Sequence, residues 1–144
     1  MHLTQHTDYG LRVLMYAAIH SDRRVPMREI AKAYGISSEH LRKVVHRLAR
    51  HGYLETTQGP TGGITLRKSP ESIPLGEAVQ VLEQSLEIVD CDRQPCPLRG
   101  SCALKQRLNA ARDSFLEELN TSTIADLVRD QHTVARLQRL PVSS

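Results

Sequence analysis

Tryptophan is absent from this 144-residue chain, phenylalanine occurs once and tyrosine four times. The stacking platforms that grip single-stranded nucleic acid are built from successive aromatic faces, and are therefore largely missing. No apolar run approaches the roughly 20 residues that a helix needs to cross a bilayer, so no membrane partner is expected. The first turns of the chain carry no charged segment followed by an apolar run and a cleavage site, which makes the cytoplasm the expected location. No Ser/His/Asp set, phosphate-cradling glycine loop or pair of carboxylates is apparent, so the chain does not read as an enzyme. Its length allows one buried core with an appended helix, and is too short for two catalytic domains.

Cysteine is scarce too, but all three copies fall in Cys91-Asp-Arg-Gln-Pro-Cys96-Pro-Leu-Arg-Gly-Ser-Cys102. Four and five residues separate them, and Pro95, Pro97 and Gly100 mark a loop that can fold the sulfurs toward one place. A disulfide framework fits poorly, because the count is odd and the expected compartment is reducing. Thiolates at this density bind zinc or iron-sulfur clusters, to which sulfur donates strongly. Both groups usually take four ligands, so the fourth comes from elsewhere in the chain, from another chain or from solvent. No histidine follows the last cysteine closely, and His6 and His132 are weak alternative donors.

Charge is divided unevenly. Residues 1–68 hold eleven Lys/Arg against five Asp/Glu, a net +6, while 69–144 carry −3. A basic first half suits a polyanion, and an acidic second half suits assembly or sensing. Residues 7–19 read as a helix that is apolar on most faces, with Asp8 in a first turn where the helix dipole favours a carboxylate. Pro26 opens a second helix, Met27 to Tyr34, which Gly35 ends. Ser37 is a suitable N-cap for a third, Ser38 to His51. Its inner stripe is Leu41, Val44, Val45 and Leu48, leaving Ser38, His40, Arg42, Lys43, His46, Arg47 and Arg50 outside. Helix, glycine turn, helix is the helix-turn-helix signature, and the second helix of such a pair enters the major groove by its N-terminal end.

Residues 53–57 and 63–67 read as strands flanking Gln58-Gly-Pro-Thr-Gly-Gly63, the wing of a winged helix. Gly62 and Gly63 allow the turn to lie close to a phosphate or in the minor groove. The candidate DNA contacts are therefore Ser37, Ser38, His40, Arg42, Lys43, Arg47, Gly62 and Gly63. A helix from Leu75 to about Gln84 precedes the cysteine loop. Another, from Ala103 to about Asn120, carries the stripe Leu104, Leu108, Ala111, Phe115 and Leu119, which suits packing against a second copy. Thr123 to Val128 is a last short helix. The fold class is mainly α with a small β-hairpin wing: a winged helix-turn-helix plus a long dimerisation helix. The expected units are a DNA-binding head over 1–84, the cysteine loop over 85–102, dimerisation and short helices over 103–130, and a flexible tail over 131–144.

Leu3-Thr4-Gln5-His6-Thr7-Asp8-Tyr9-Gly10-Leu11-Arg12-Val13-Leu14, Ile30-Ala-Lys-Ala-Tyr-Gly-Ile-Ser37, the wing Gly62-Gly63-Ile-Thr-Leu66 and the cysteine loop together resemble the Rrf-two family of winged-helix iron-sulfur regulators. Ser114-Phe-Leu-Glu-Glu-Leu119 and Thr123 to Val128 extend the resemblance to about residue 130. Within the family the chain looks most like the repressors that sense nitric oxide. The resemblance implies a homodimer on a palindromic operator in double-stranded DNA, with one cluster per subunit, most often [4Fe-4S], ligated by Cys91, Cys96 and Cys102. It further implies a fourth ligand from Asp8 of the partner subunit, with Arg12, one turn on, holding that carboxylate. Relatives that regulate cluster assembly have a histidine three residues after the last cysteine, where this chain has Lys105. Iron-responsive relatives usually have a wider first cysteine spacing. The wing segment Thr57-Gln58-Gly59-Pro60-Thr61 lacks the basic residues that many relatives carry. Two alternatives stay open: a related regulator sensing iron, oxygen or redox state through [2Fe-2S], and an interaction protein whose loop is held by Zn.

Overall fold

A helix apolar on most faces has to be enclosed, and the first helix is. In the computed structural model, which describes residues 1–139, α1 spans Gln5–Ile19 and buries Thr7, Gly10, Val13, Leu14, Tyr16, Ala17 and Ala18. The Thr4 side chain starts it by accepting from the Thr7 amide at 3.3 Å. Helices α2 (Met27–Tyr34) and α3 (Ser38–Arg50) follow, joined by Gly35 in the left-handed region at φ 66°. The Ile36 amide closes that turn on the Ala31 carbonyl at 2.9 Å, and Ile36 tucks under it as a buried apolar stop. Ser37 Oγ accepts from the His40 amide at 3.2 Å, which fixes the start of α3.

Strands β1 (Leu54–Thr57) and β2 (Gly63–Leu66) pair antiparallel, with Leu54 opposite Leu66 and Thr57 opposite Gly63. Val25 adds a third edge by exchanging hydrogen bonds of 2.8 and 2.9 Å with Ile64. A single 3₁₀ turn at Pro70–Ser72 leads to α4 (Leu75–Leu82), and α5 (Ala103–Leu119) follows the cysteine loop. A Cβ on Gly76 would stand 2.6 Å from the Leu116 carbonyl oxygen, so glycine is what lets α4 and α5 meet. Asn120 Oδ1 then accepts from the Glu77 amide at 3.0 Å, capping α4 from outside because Pro74 offers no side-chain cap.

Helix α6 (Ile124–Arg129) turns back onto α1, and its Ile124 is fully buried among Val13, Leu14, Ile73 and Leu82 in the same core. The apolar faces of α1 are thus covered largely within the chain, by α3, α4, β2 and α6. The expected flexible tail differs as well. Gln131–Gln138 form α7, started by Asp130, whose carboxylate accepts from the Thr133 amide at 2.9 Å. A local cap outweighs the lack of a strong apolar stripe there. Residues 140–144 of that expected tail lie outside the described residues. None of the helices described is long and apolar enough to cross a membrane.

Candidate functional site

The sequence-predicted residues fall in two places. The first is the outer face of α3. Ser37, Ser38, Arg42 and Lys43 are exposed there, while His40 is half-buried against α1. Lys43 lies 3.6 Å from Glu39 in a solvent-exposed pair, an interaction too weak to withhold it from a phosphate. Arg47 departs from expectation. It is half-buried, and its Nε donates to the Val81 carbonyl at 2.6 Å, locking α3 to α4. Gly62 and Gly63 serve the hairpin itself: a Cβ on Gly62 would stand 2.2 Å from the Thr57 carbonyl oxygen, and one on Gly63 2.4 Å from that of Val25. The exposed tip is Gln58 to Thr61, with Gly59 at φ 96°.

Two α1 residues not foreseen as part of this face reach His40. The Tyr9 ring meets the His40 ring edge-on, with centroids 4.8 Å apart, and the His6 ring stacks on it at 6.1 Å. Burial, with His40 and Arg47 nearby, lowers the His6 pKa. Its Nε2 is buried without a hydrogen-bond partner. The signal available in the sequence was the i, i+3 spacing of His6 and Tyr9, which places both on one face of α1.

The second place is the cysteine loop. Cys91, Cys96 and Cys102 line one concavity of about 250 Å³, together with Leu98, Lys105 and Asn109. Its turns are tight: the Arg99 amide donates to the Cys96 carbonyl at 3.2 Å, Gly100 is left-handed at φ 91°, and Arg99 pairs with Asp92 across the loop. Cys102 is the N-cap of α5, its Sγ accepting from the Lys105 amide at 3.5 Å. All three thiols are free. Among the described residues, no three His, Cys, Asp or Glu side chains gather closely enough to chelate one metal ion. The three cysteines line one concavity without forming such a group.

Asp8 does not line that concavity. Arg12 holds it bidentately, Nε at 3.1 Å and a terminal nitrogen at 2.9 Å, and the same guanidinium lies 5.7 Å from the Tyr34 ring centroid on α2. Glu83, the buried residue from which the cysteine loop departs, accepts from the Thr4 amide at 3.2 Å and from the hydroxyls of Thr4 and Thr7. The loop is thereby tied at its root to the N-terminus of α1. Sequence reasoning missed Glu83, which reads locally as one more acidic residue at the end of a helix.

A family model described as Rrf2, iron-dependent transcriptional regulator, matches residues 3–130. The chain belongs to the Rrf2 family. Similar solved structures agree with that placement. CymR (YrzC), the global cysteine regulator of B. subtilis, is 25% identical over 90% of this chain and 97% of its own, with a TM-score of 0.70. Staphylococcus aureus CymR in its oxidized form is also 25% identical, over 88% and 95%, with a TM-score of 0.70. IscR of T. potens shares the fold, at 24% identity over 90% and 88% and a TM-score of 0.73. The helical head with its two-stranded hairpin is accordingly the winged helix of Rrf2 regulators, and the chain is a DNA-binding transcriptional regulator. The family and these neighbours are regulators and not enzymes.

Proposed function

We propose that this Rrf2 regulator is an iron-sulfur repressor of the NsrR type, a homodimer whose affinity for a palindromic operator responds to nitric oxide. The observation that carries the reading is the set of three free thiols lining one concavity, with the Cys102 sulfur accepting from the Lys105 amide at the start of α5. Three cysteines on one concavity form a thiolate donor set of the kind that iron-sulfur clusters take. Cys91, Cys96 and Cys102 would hold such a group, with Asp8 of the partner subunit as the fourth donor. A [4Fe-4S] cluster bound there would supply iron reactive toward nitric oxide.

The protein's part is to make the spacing of two recognition helices depend on those four donors. Asp8 sits on α1, which packs against α3, while Glu83 ties the root of the cysteine loop to the same helix. A link from the loop of one subunit to α1 of the other therefore bears on both α3 helices. A carboxylate is a harder donor than thiolate, so Asp8 would be the weakest of the four donors. Arg12, which holds the Asp8 carboxylate here, would keep it paired whenever it is not a ligand. A hundredfold fall in operator affinity requires only about 2.7 kcal/mol of difference between the two dimer geometries. DNA is met by Ser37, Ser38, His40, Arg42 and Lys43 of α3, with the wing alongside.

The test is to purify the chain without oxygen, measure iron, sulfide and visible absorbance, and titrate with nitric oxide while following operator binding. Cluster absorbance that bleaches as binding falls, with Asp8→Ala altering the response, supports the proposal. A colourless zinc protein refutes the cluster, and an iron-sulfur protein indifferent to nitric oxide refutes the signal. A second reading, direct thiol oxidation without a cluster, is favoured by the likeness to CymR and by the exposure of Cys96. It predicts iron-free protein whose operator affinity changes with a thiol oxidant.

A further inference from the structure

The recognition helix begins at Ser38, and its first turn carries a residue whose orientation is set by a different helix. His40 has its amide fixed on Ser37 Oγ, but its imidazole meets two rings from α1: Tyr9 edge-on at 4.8 Å and His6 stacked at 6.1 Å. His6, Ser37, His40 and Lys43 line one open concavity at this end of α3. We propose that Tyr9 and His6 are positioning residues for DNA recognition, holding the His40 imidazole in the orientation in which it meets the duplex. The inference rests on the placement of His40 at DNA in the reading above, and is independent of the cluster.

The geometry explains why two rings are used. An imidazole on an isolated helix face rotates among staggered rotamers, and each contact with a base edge or phosphate must overcome that freedom. An edge-on contact with one ring and a stacked contact with another favour one rotamer before DNA arrives, so less order has to be imposed at binding. Tyr9 follows Asp8 directly on α1, and His6 precedes it by two residues. A displacement of the first turns of α1 is thus felt at His40 without movement of the α3 backbone.

The test is a double-mutant cycle on the full-length chain, using a duplex that the wild-type protein selects from a randomised library and an unrelated duplex of equal length. Tyr9→Leu is expected to weaken binding to the selected duplex about two- to tenfold, the value of one edge-to-face contact, and to leave the unrelated duplex unchanged. In a His40→Ala background Tyr9→Leu has no further effect, while Tyr9→Phe binds as well as its parent in either background. The His40 ring-proton resonances shift in Tyr9→Leu. If Tyr9→Leu lowers the melting temperature, His6→Leu carries the same cycle. A loss of equal size with and without His40, or equal on both duplexes, overturns the proposal; so does wild-type binding by Tyr9→Leu. An effect routed through Asp8 and a cluster would persist in the His40→Ala background, which separates failure of this inference from failure of the sensing reading.

Discussion

At the scale of single residues, the charges that matter most are those removed from water. Glu29 is buried, accepts from the Tyr16 hydroxyl at 2.6 Å, and is held by both terminal nitrogens of Arg23 at 2.7 and 3.0 Å. Arg23 first, and Tyr16 with it, keeps the Glu29 carboxyl below its ordinary value, and burial with this bond raises the Tyr16 pKa. A carboxylate depressed in the folded state stabilises the fold above its unfolded pKa of about 4.3, and that contribution disappears as pH falls through the folded value. Glu29→Gln is expected to cost about 1–3 kcal/mol at pH 7, since Arg23 is partly solvated. Urea unfolding should show the gap from wild type narrowing below about pH 4. Cys102 makes a separable prediction, because it is both a helix cap and a candidate ligand. Cys102→Ser keeps a good N-cap and should leave the melting temperature of the metal-free protein within about 2 °C, a change of under 0.5 kcal/mol. Its bound iron should nonetheless be lost. Retention of wild-type iron by this variant would remove Cys102 from the ligand set.

Elements were legible where their periodicity was local. The stripe Leu41, Val44, Val45 and Leu48, between Ser37 and Gly52, fixed α3 almost to the residue, and Pro26 with Gly35 bounded α2. What could not be read was pairing between distant segments. That Asn120 caps α4, that Arg47 turns inward to Val81, and that Ile124 completes the core under α1 all depend on tertiary approach, which no short window encodes. The candidate site divides in the same way. The three cysteines announce themselves by spacing, whereas the Tyr9, His6 and His40 contact requires knowing which helices touch. The α4–α5 seam gives the element-scale prediction. Gly76→Ala places a methyl 2.6 Å from the Leu116 carbonyl oxygen and 2.4 Å from Asn120 Oδ1. Backbone cannot yield as a side-chain tip can, so the helices must separate, at about 1–3 kcal/mol by denaturant unfolding. Because α5 carries Cys102 at its start, the same variant should bind iron less tightly. Wild-type stability would mean that the seam is looser than this packing requires.

For the molecule as a whole, α5 leaves an apolar stripe that the described residues do not cover. Leu104 is 64% exposed, Leu108 and Phe115 are half-buried, and Leu116 alone of this helix is buried, under α4. Leu98 and Ile88 of the neighbouring loop add exposed apolar surface. A second copy that seats its α5 on this stripe would hold two heads together, and with them two α3 helices for two half-sites. Leu104→Asp tests that arrangement without touching the core, since the side chain is largely solvated in the single chain. Burying a leucine is worth about 1.5–3 kcal/mol, and replacing it with a charge costs at least as much again. The dimer should therefore dissociate at protein concentrations a hundredfold or more above those for wild type, as read by sedimentation velocity, with an unchanged melting temperature for the monomer. Operator binding follows from the same step. A dimer engages two half-sites with one linked surface, so its monomer should bind the full operator only as well as a half-site and lose about half of the salt dependence, because half as many phosphates are neutralised. If Leu104→Asp instead binds the full operator with the wild-type salt slope, α5 does not join the two heads, and the exposed stripe serves another partner.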